Sequence, residues 1–235
     1  MSVTAKQMTM SQVKADASSI FLAKVFNWMA LGLGTTGIIA YFTFSTGLAI
    51  TIASSALIYI LFIGELGLVL FLTARIHKMQ AGTASSMFML YSVLNGLTLS
   101  VIFLRYTGSS IAATFFITAG MFGAMAIYGL VTKRDLSGFG SFLFMGVIGI
   151  VIASVVNIFL NSPVLYWTIS MIGVLVFTGL TAYDVQKIKK MGEDGIMQQG
   201  EAAITKGSIM GALALYLDFI NLFLMLLRFF GGGRD

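Results

Sequence analysis

Two aspartates stand in the last two long apolar runs of the chain, Asp184 in Thr181-Ala182-Tyr183-Asp184 and Asp218 in Tyr216-Leu217-Asp218-Phe219-Ile220-Asn221. Ionising a carboxylate in hydrocarbon costs roughly 3 kcal/mol or more without a partner or water, so an acid kept there is a functional candidate. If the two runs are adjacent antiparallel helices, the carboxyls come within hydrogen-bond reach. Two close carboxylates cannot both ionise cheaply, so such a pair shares a proton and titrates as one unit. A third acid, Glu65, lies in Ile63-Gly64-Glu65-Leu66-Gly67 of an earlier apolar run.

Side chains able to hydrogen-bond at the same depth surround these acids in the sequence: Tyr183, Tyr216, Asn221, Asn157 and Asn95. Asn221 follows Asp218 by three residues and can share its helix face. Carboxylates with amide and carbonyl oxygens are the ligands that hard cations take, Ca²⁺ using six to eight, so Asp184, Asp218 and Glu65 are candidate Ca²⁺ ligands. With one histidine, His77, and no cysteine, zinc, copper and thiol chemistry are disfavoured. The chemistry indicated is proton-sensitive ion passage, with substrate transport or plain helix contact as alternatives. The plainest reading of Asp184 is an edge residue paired with Lys187 or Lys189.

Composition sets the surroundings of these acids. The chain of 235 residues is 58% hydrophobic and only 10% charged, where soluble domains carry about 25% charged residues. Such a chain belongs in a lipid bilayer, its first partner. Seven segments reach the roughly 20 apolar residues a spanning helix needs: Phe26 to Thr46, Ile50 to Thr73, Gly82 to Leu104, Ser110 to Thr132, Phe139 to Leu160, Val164 to Ile188 and Ser208 to Phe230. Residues 1–25 read as a polar cytoplasmic arm without a cleaved signal, 26–230 as one transmembrane domain, and 231–235 as a short tail. The polar stretch from Lys189 to Lys206 reads as the one sizeable loop. Gly32, Gly34, Gly37, Gly120, Gly123, Gly146 and Gly149 read as points of close helix packing.

Orientation follows from the basic residues, which concentrate on the cytoplasmic side. With the N-terminus inside, that side holds Lys6, Lys14, Lys24, Arg75, Lys78, Lys133, Arg134, Lys187, Lys189, Lys190 and Lys206, against Arg105, Arg228 and Arg234 outside. The net charge of +5 is thus explained by topology, and no nucleic-acid partner is implied. Glu65 falls about 15 Å in from Arg75 and Asp184 about 9 Å from Lys190, so the three acids share the cytoplasmic half.

The tract Gly179-Leu180-Thr181-Ala182-Tyr183-Asp184, followed by Leu213-Ala214-Leu215-Tyr216-Leu217-Asp218-Phe219-Ile220-Asn221-Leu222-Phe223, resembles the signature of the transmembrane Bax inhibitor motif family, in its bacterial inner-membrane branch. The resemblance covers nearly all of the chain, including Lys133-Arg134-Asp135-Leu136-Ser137. It implies an all-α membrane protein of seven transmembrane helices, six surrounding a central C-terminal helix. The implied function is a pH-sensitive calcium leak channel and not an enzyme, with the residues matching Asp184 and Asp218 as the proton sensor and gate. By the same resemblance Glu65 and Asp218 line the ion pathway and Arg75 is the latch that pairs with Asp184, although its separation from Glu65 fits the family pattern poorly. Ca²⁺ and protons are then the passing ions, no cofactor is tightly bound, and the monomer conducts.

Two other readings compete. A membrane regulator would use the arm, in which Ser2, Thr4, Gln7 and Ser11 make no strong motif, or the Lys189 to Lys206 loop to bind cytoplasmic or membrane partners. An intramembrane aspartyl protease also places Tyr-Asp in one span and an aspartate in the next. Such enzymes resemble Gly-x-Gly-Asp at the second position and carry a downstream Pro-Ala-Leu, whereas this chain has Tyr216-Leu217-Asp218 and a single proline, Pro163.

Overall fold

A bilayer offers no hydrogen bonds to the backbone, so a chain this apolar must satisfy its own amides, and helices do so segment by segment. The computed structural model describes the backbone of residues 2–233 and side chains from residue 12. Arg234 and the side chains of Ser2, Thr4, Lys6, Gln7 and Ser11 lie outside the described residues. The helices are α1 (Ser2–Ser45), α2 (Leu48–Ser54), α3 (Leu57–Arg75), α4 (Ala81–Leu99), α5 (Ile102–Arg105), α6 (Gly108–Val131), α7 (Ser137–Leu160), α8 (Pro163–Glu193) and α9 (Glu201–Phe230). Among the described residues, seven stretches are long and apolar enough to span a membrane. The all-α, seven-span expectation therefore holds. The last stretch is the most enclosed, with 72% of its span window buried against 11% for Ser137–Leu160.

Three boundaries differ from those expected. The second span begins at Leu57, because the chain turns extended at Ser55 (φ −120°, ψ 170°) and the Ser55 hydroxyl accepts from the Leu57 N–H at 3.3 Å. Ile50 belongs to the separate α2. A serine oxygen competing for backbone amides is the physical cause of the break. The expected loop from Lys189 to Lys206 shrinks to residues 194–200, since α8 runs on to Glu193 and α9 starts at Glu201. Apolarity ends at the membrane edge, but helical hydrogen bonding need not. Gly195 (φ 90°) and Gly200 (φ 86°) take left-handed conformations that make the short turn feasible.

Nor is the segment before Phe26 a solvated arm throughout. It continues the first helix, and Ser18, Phe21, Leu22 and Val25 are buried. The Ser18 hydroxyl donates to the Lys189 carbonyl at 3.1 Å. A Cβ on Gly192 would come 2.6 Å from Ser18 Cα, and one on Gly211 3.1 Å from Val25. Small residues thus let the end of α8 and the start of α9 close onto α1.

The residues group into two compact units, Met1–Arg105 with Ile188–Leu213 and Tyr106–Lys187 with Ala214–Asp235. In the first, α1 and α4 pack closely. A Cβ on Gly32 would sit 2.7 Å from the Phe88 ring, and one on Gly96 2.8 Å from the Thr36 carbonyl oxygen. The Thr36 hydroxyl donates across to the Ser92 carbonyl at 2.9 Å. Helices in lipid associate by such close approach and cross-bonding, because lipid tails already satisfy apolar surface.

In the second unit α7, α8 and α9 share an apolar seam that includes Leu143, Ile150, Val176, Leu180, Leu222 and Met225. Phe219 on α9 meets Phe115 and Phe122 of α6 at centroid separations of 5.3 and 5.6 Å. Near the end of α9, Arg228 lies over the Tyr166 ring at 4.5 Å and donates to Ser170 Oγ at 3.0 Å. The tail folds back, with the Thr107 N–H donating to the Gly232 carbonyl at 3.1 Å.

Of the seven glycines expected at packing points, Gly32 and Gly146 have close neighbours. Gly34, Gly37, Gly120, Gly123 and Gly149 would meet nothing within 4 Å if they bore a Cβ. Their faces are open, and abundance of glycine alone does not say which face of a helix meets another.

Candidate functional site

The second unit brings Asp184 of α8 and Asp218 of α9 together, and their carboxyls hydrogen-bond each other. An ionised carboxylate only accepts, so this bond requires a proton on one member. Asp218 is 4% exposed, and its Oδ2 is buried without a hydrogen-bond partner. Asp184 is partly buried and feels the charge of Lys187 one turn on. Lys187 also lies 5.9 Å from the Tyr183 ring centre. Lys189 ion-pairs with Glu193 at 3.8 Å, while Lys187 sets its charge near Asp184.

The helix carrying Asp184 is seated by glycines from two neighbours. A Cβ at Gly129 of α6 would overlap the Ala182 carbonyl oxygen, and one at Gly140 of α7 would come 2.5 Å from the Tyr183 ring. Tyr216 is fully buried on α9. The Asn221 amide donates to its own helix at Leu217 O, 2.8 Å away, and so stabilises α9. Asn157 is not beside the acids. Its Oδ1 accepts from the Ser162 N–H at 3.0 Å, capping the turn where α7 ends in left-handed Asn161 (φ 48°). Asn157 ends one helix and Asp184 lies 21 residues into the next, about 31 Å along its axis.

Gln186, two residues beyond Asp184, belongs to no motif in the sequence. Its Oε1 accepts from the Leu136 N–H at 2.9 Å and its Nε2 donates to the Arg134 carbonyl at 2.8 Å. One side chain thereby fixes the α6–α7 turn to α8. A lone amide in an otherwise apolar and basic stretch was its only signal. Gln186→Leu, which strips partners from two backbone groups, is expected to cost about 1–3 kcal/mol. Faster tryptic cutting at Lys133 and Arg134 would report the released turn, and an unchanged cutting rate would show that the turn is held elsewhere.

Glu65 and Arg75 belong to the first unit. Glu65 is 6% exposed. It accepts from the Thr98 hydroxyl in a short contact and from Asn95 Nδ2 at 3.3 Å. Arg75 closes α3. Among the described residues, no three of His, Asp and Glu gather into a group able to hold a metal. The two aspartates thus lie side by side on α8 and α9, while the third acid has its own neutral donors.

Residues 18–235 match the family described as Inhibitor of apoptosis-promoting Bax1. The chain is 53% identical to the inner membrane protein YbhL of Escherichia coli, over 91% of this chain and 92% of that protein. A protein of Borreliella burgdorferi is 46% identical over 92% of this chain and 93% of its own length. One of Deinococcus radiodurans is 43% identical over 98% of each.

Proposed function

The chain belongs to the Bax inhibitor family, and from that premise we propose that it is a pH-sensitive cation leak pathway of the inner membrane, with Ca²⁺ as the ion it passes. One observation supports this above the others: two acids on consecutive spans share a hydrogen bond, and one of them is buried with an unpartnered oxygen. A shared proton makes the contact between α8 and α9 depend on pH. Removing it sets two like charges together at low dielectric, and adding a second neutralises the group that would draw a cation or an arginine.

In this reading Asp184 and Asp218 are the sensor and gate, Glu65 and Asp218 line the path, and Arg75 is the latch candidate. Protonating Asp184 removes the charge that a latch would hold and favours opening, yet it also weakens cation binding at the same carboxylates. The opposed effects allow a pH optimum as readily as a monotonic response.

The test is Ca²⁺ entry into sealed liposomes holding the purified protein and an enclosed indicator, from about pH 5 to 8. Wild type should leak above empty liposomes in a pH-dependent way, and Arg75→Gln should raise the basal leak. The double variant Asp184→Asn, Asp218→Asn should flatten the pH profile. An unaltered profile in the double variant would exclude the aspartates as the gate. Absence of any protein-dependent leak would transfer the proposal to a regulator of membrane partners.

A further inference from the structure

The second unit carries a positive charge that its own acids leave unpaired. Arg228 stands in the last turn of α9, and among the described residues no carboxylate pairs with it. Asp218 lies ten residues back along the same helix, about 15 Å away along the axis. Asp184 lies fourteen residues past Ser170 on α8, about 21 Å along that axis. Asp135 precedes α7, a whole helix before α8 begins.

The guanidinium is nevertheless held in place. Its plane lies over the Tyr166 ring at 4.5 Å, and Nη1 donates to Ser170 Oγ at 3.0 Å. Ser170 is fully buried and gives its own proton to the Tyr166 carbonyl at 2.8 Å, which leaves its oxygen to accept from Arg228. A guanidinium has five N–H donors in a planar fork. Ser170 takes one of them, and Arg228 is only half-buried, so others reach the surface. A fork fixed by stacking, with donors unspent, is suited to the oxygens of a phosphate.

Apolar surface adjoins this cation. Trp167 meets Phe229 at a centroid separation of 5.2 Å, and the two are 45% and 39% exposed. Trp167, Met171 and Leu175 follow at spacings of four on α8, all exposed, and so form one strip running from the helix start toward the membrane interior. A phospholipid matches both features, with its phosphate at Arg228 and an acyl chain along the strip. A free phosphate uses only the first. A lipid of net negative charge balances the guanidinium, whereas the ammonium of a zwitterionic headgroup competes for the same phosphate.

We propose that Arg228, seated by Tyr166 and Ser170 and flanked by Trp167, binds the phosphate of an anionic phospholipid, of which phosphatidylglycerol is the probe. The site is independent of the leak reading, because lipid preference is measured without an ion gradient.

The chain has two tryptophans, so Trp28→Phe leaves Trp167 as the sole reporter. The purified full-length Trp28→Phe protein is placed in phosphatidylcholine vesicles, and its fluorescence is followed as part of the host lipid is replaced. The replacement is phosphatidylglycerol or phosphatidylcholine, each brominated on its acyl chains, at matched mole fractions. Phosphatidylglycerol should quench with a relative binding constant roughly fivefold or more above that of phosphatidylcholine. Adding Arg228→Gln should bring the two lipids to parity, and adding Asp184→Asn with Asp218→Asn should keep the preference. If Arg228→Gln does not fold, Arg228→Lys keeps the charge without the planar fork and should lower the preference roughly twofold or more. Equal quenching by the two lipids overturns the site, as does a preference that outlasts Arg228→Gln or is undiminished in Arg228→Lys. Loss of the preference when inorganic phosphate replaces chloride at equal ionic strength overturns the lipid assignment in favour of a free phosphate.

Discussion

Purified wild-type protein is expected to lose thermal stability as pH rises from about 5 to 8, and the double variant Asp184→Asn, Asp218→Asn to lose most of that slope. The sign follows from counting protons. The bonded pair needs one proton in the folded state, while in water both aspartates ionise near pH 4. The folded state then binds more protons than the unfolded state, so stability falls with rising pH by up to about 1.4 kcal/mol per unit until the shared proton leaves. The asparagines keep a donor and an acceptor but cannot titrate. Asp218→Ala alone should be worse than Asp218→Asn, because it opens a cavity and strips Asp184 of its partner. The measurement is the unfolding midpoint against pH for the four proteins, and parallel curves for wild type and the double variant would refute a shared proton.

Gly129→Val should give the second large effect, in stability and in the acid pair together. The new Cβ would overlap the backbone oxygen of Ala182, and backbone cannot rotate away as a side chain can. Overpacking of this kind costs about 1–3 kcal/mol or more. The displaced segment lies two residues before Asp184, so α8 must shift where its carboxyl meets Asp218. Gly123→Ala, six residues earlier on the same helix, meets nothing within 4 Å and should be neutral or stabilising by up to about 1 kcal/mol. The pH slope of the midpoint in both variants is the check. Gly129→Val that folds with wild-type stability and slope would show that α8 is not seated there.

Hydropathy located all seven spans, and the rarity of acids in them singled out Asp184, Asp218 and Glu65. Both readings rest on local costs, those of burying a peptide group or a carboxylate in lipid, which sequence composition records directly. The break at Ser55, the extension of α8 to Glu193 and the burial of Ser18 to Val25 were less legible. Each depends on a hydrogen bond or a neighbouring helix beyond the run in which the residues lie.

The amino-acid sequence by itself determined that this is a seven-span helical membrane protein with two acids at membrane depth in its last two spans. Only the tertiary structure decided that Asp184 and Asp218 bond each other, that Asn157 caps a distant turn, that Gln186 ties down the α6–α7 turn, and that Asn95 and Thr98 face Glu65. The same fold separated Gly129 and Gly140, pressed against α8, from Gly34, Gly120 and Gly123 on open faces. Hydrophobicity specifies which segments enter the bilayer. It is nearly silent on how each helix is rotated, because lipid and neighbouring helix are alike to an apolar side chain, and small residues and buried hydrogen bonds decide which faces meet.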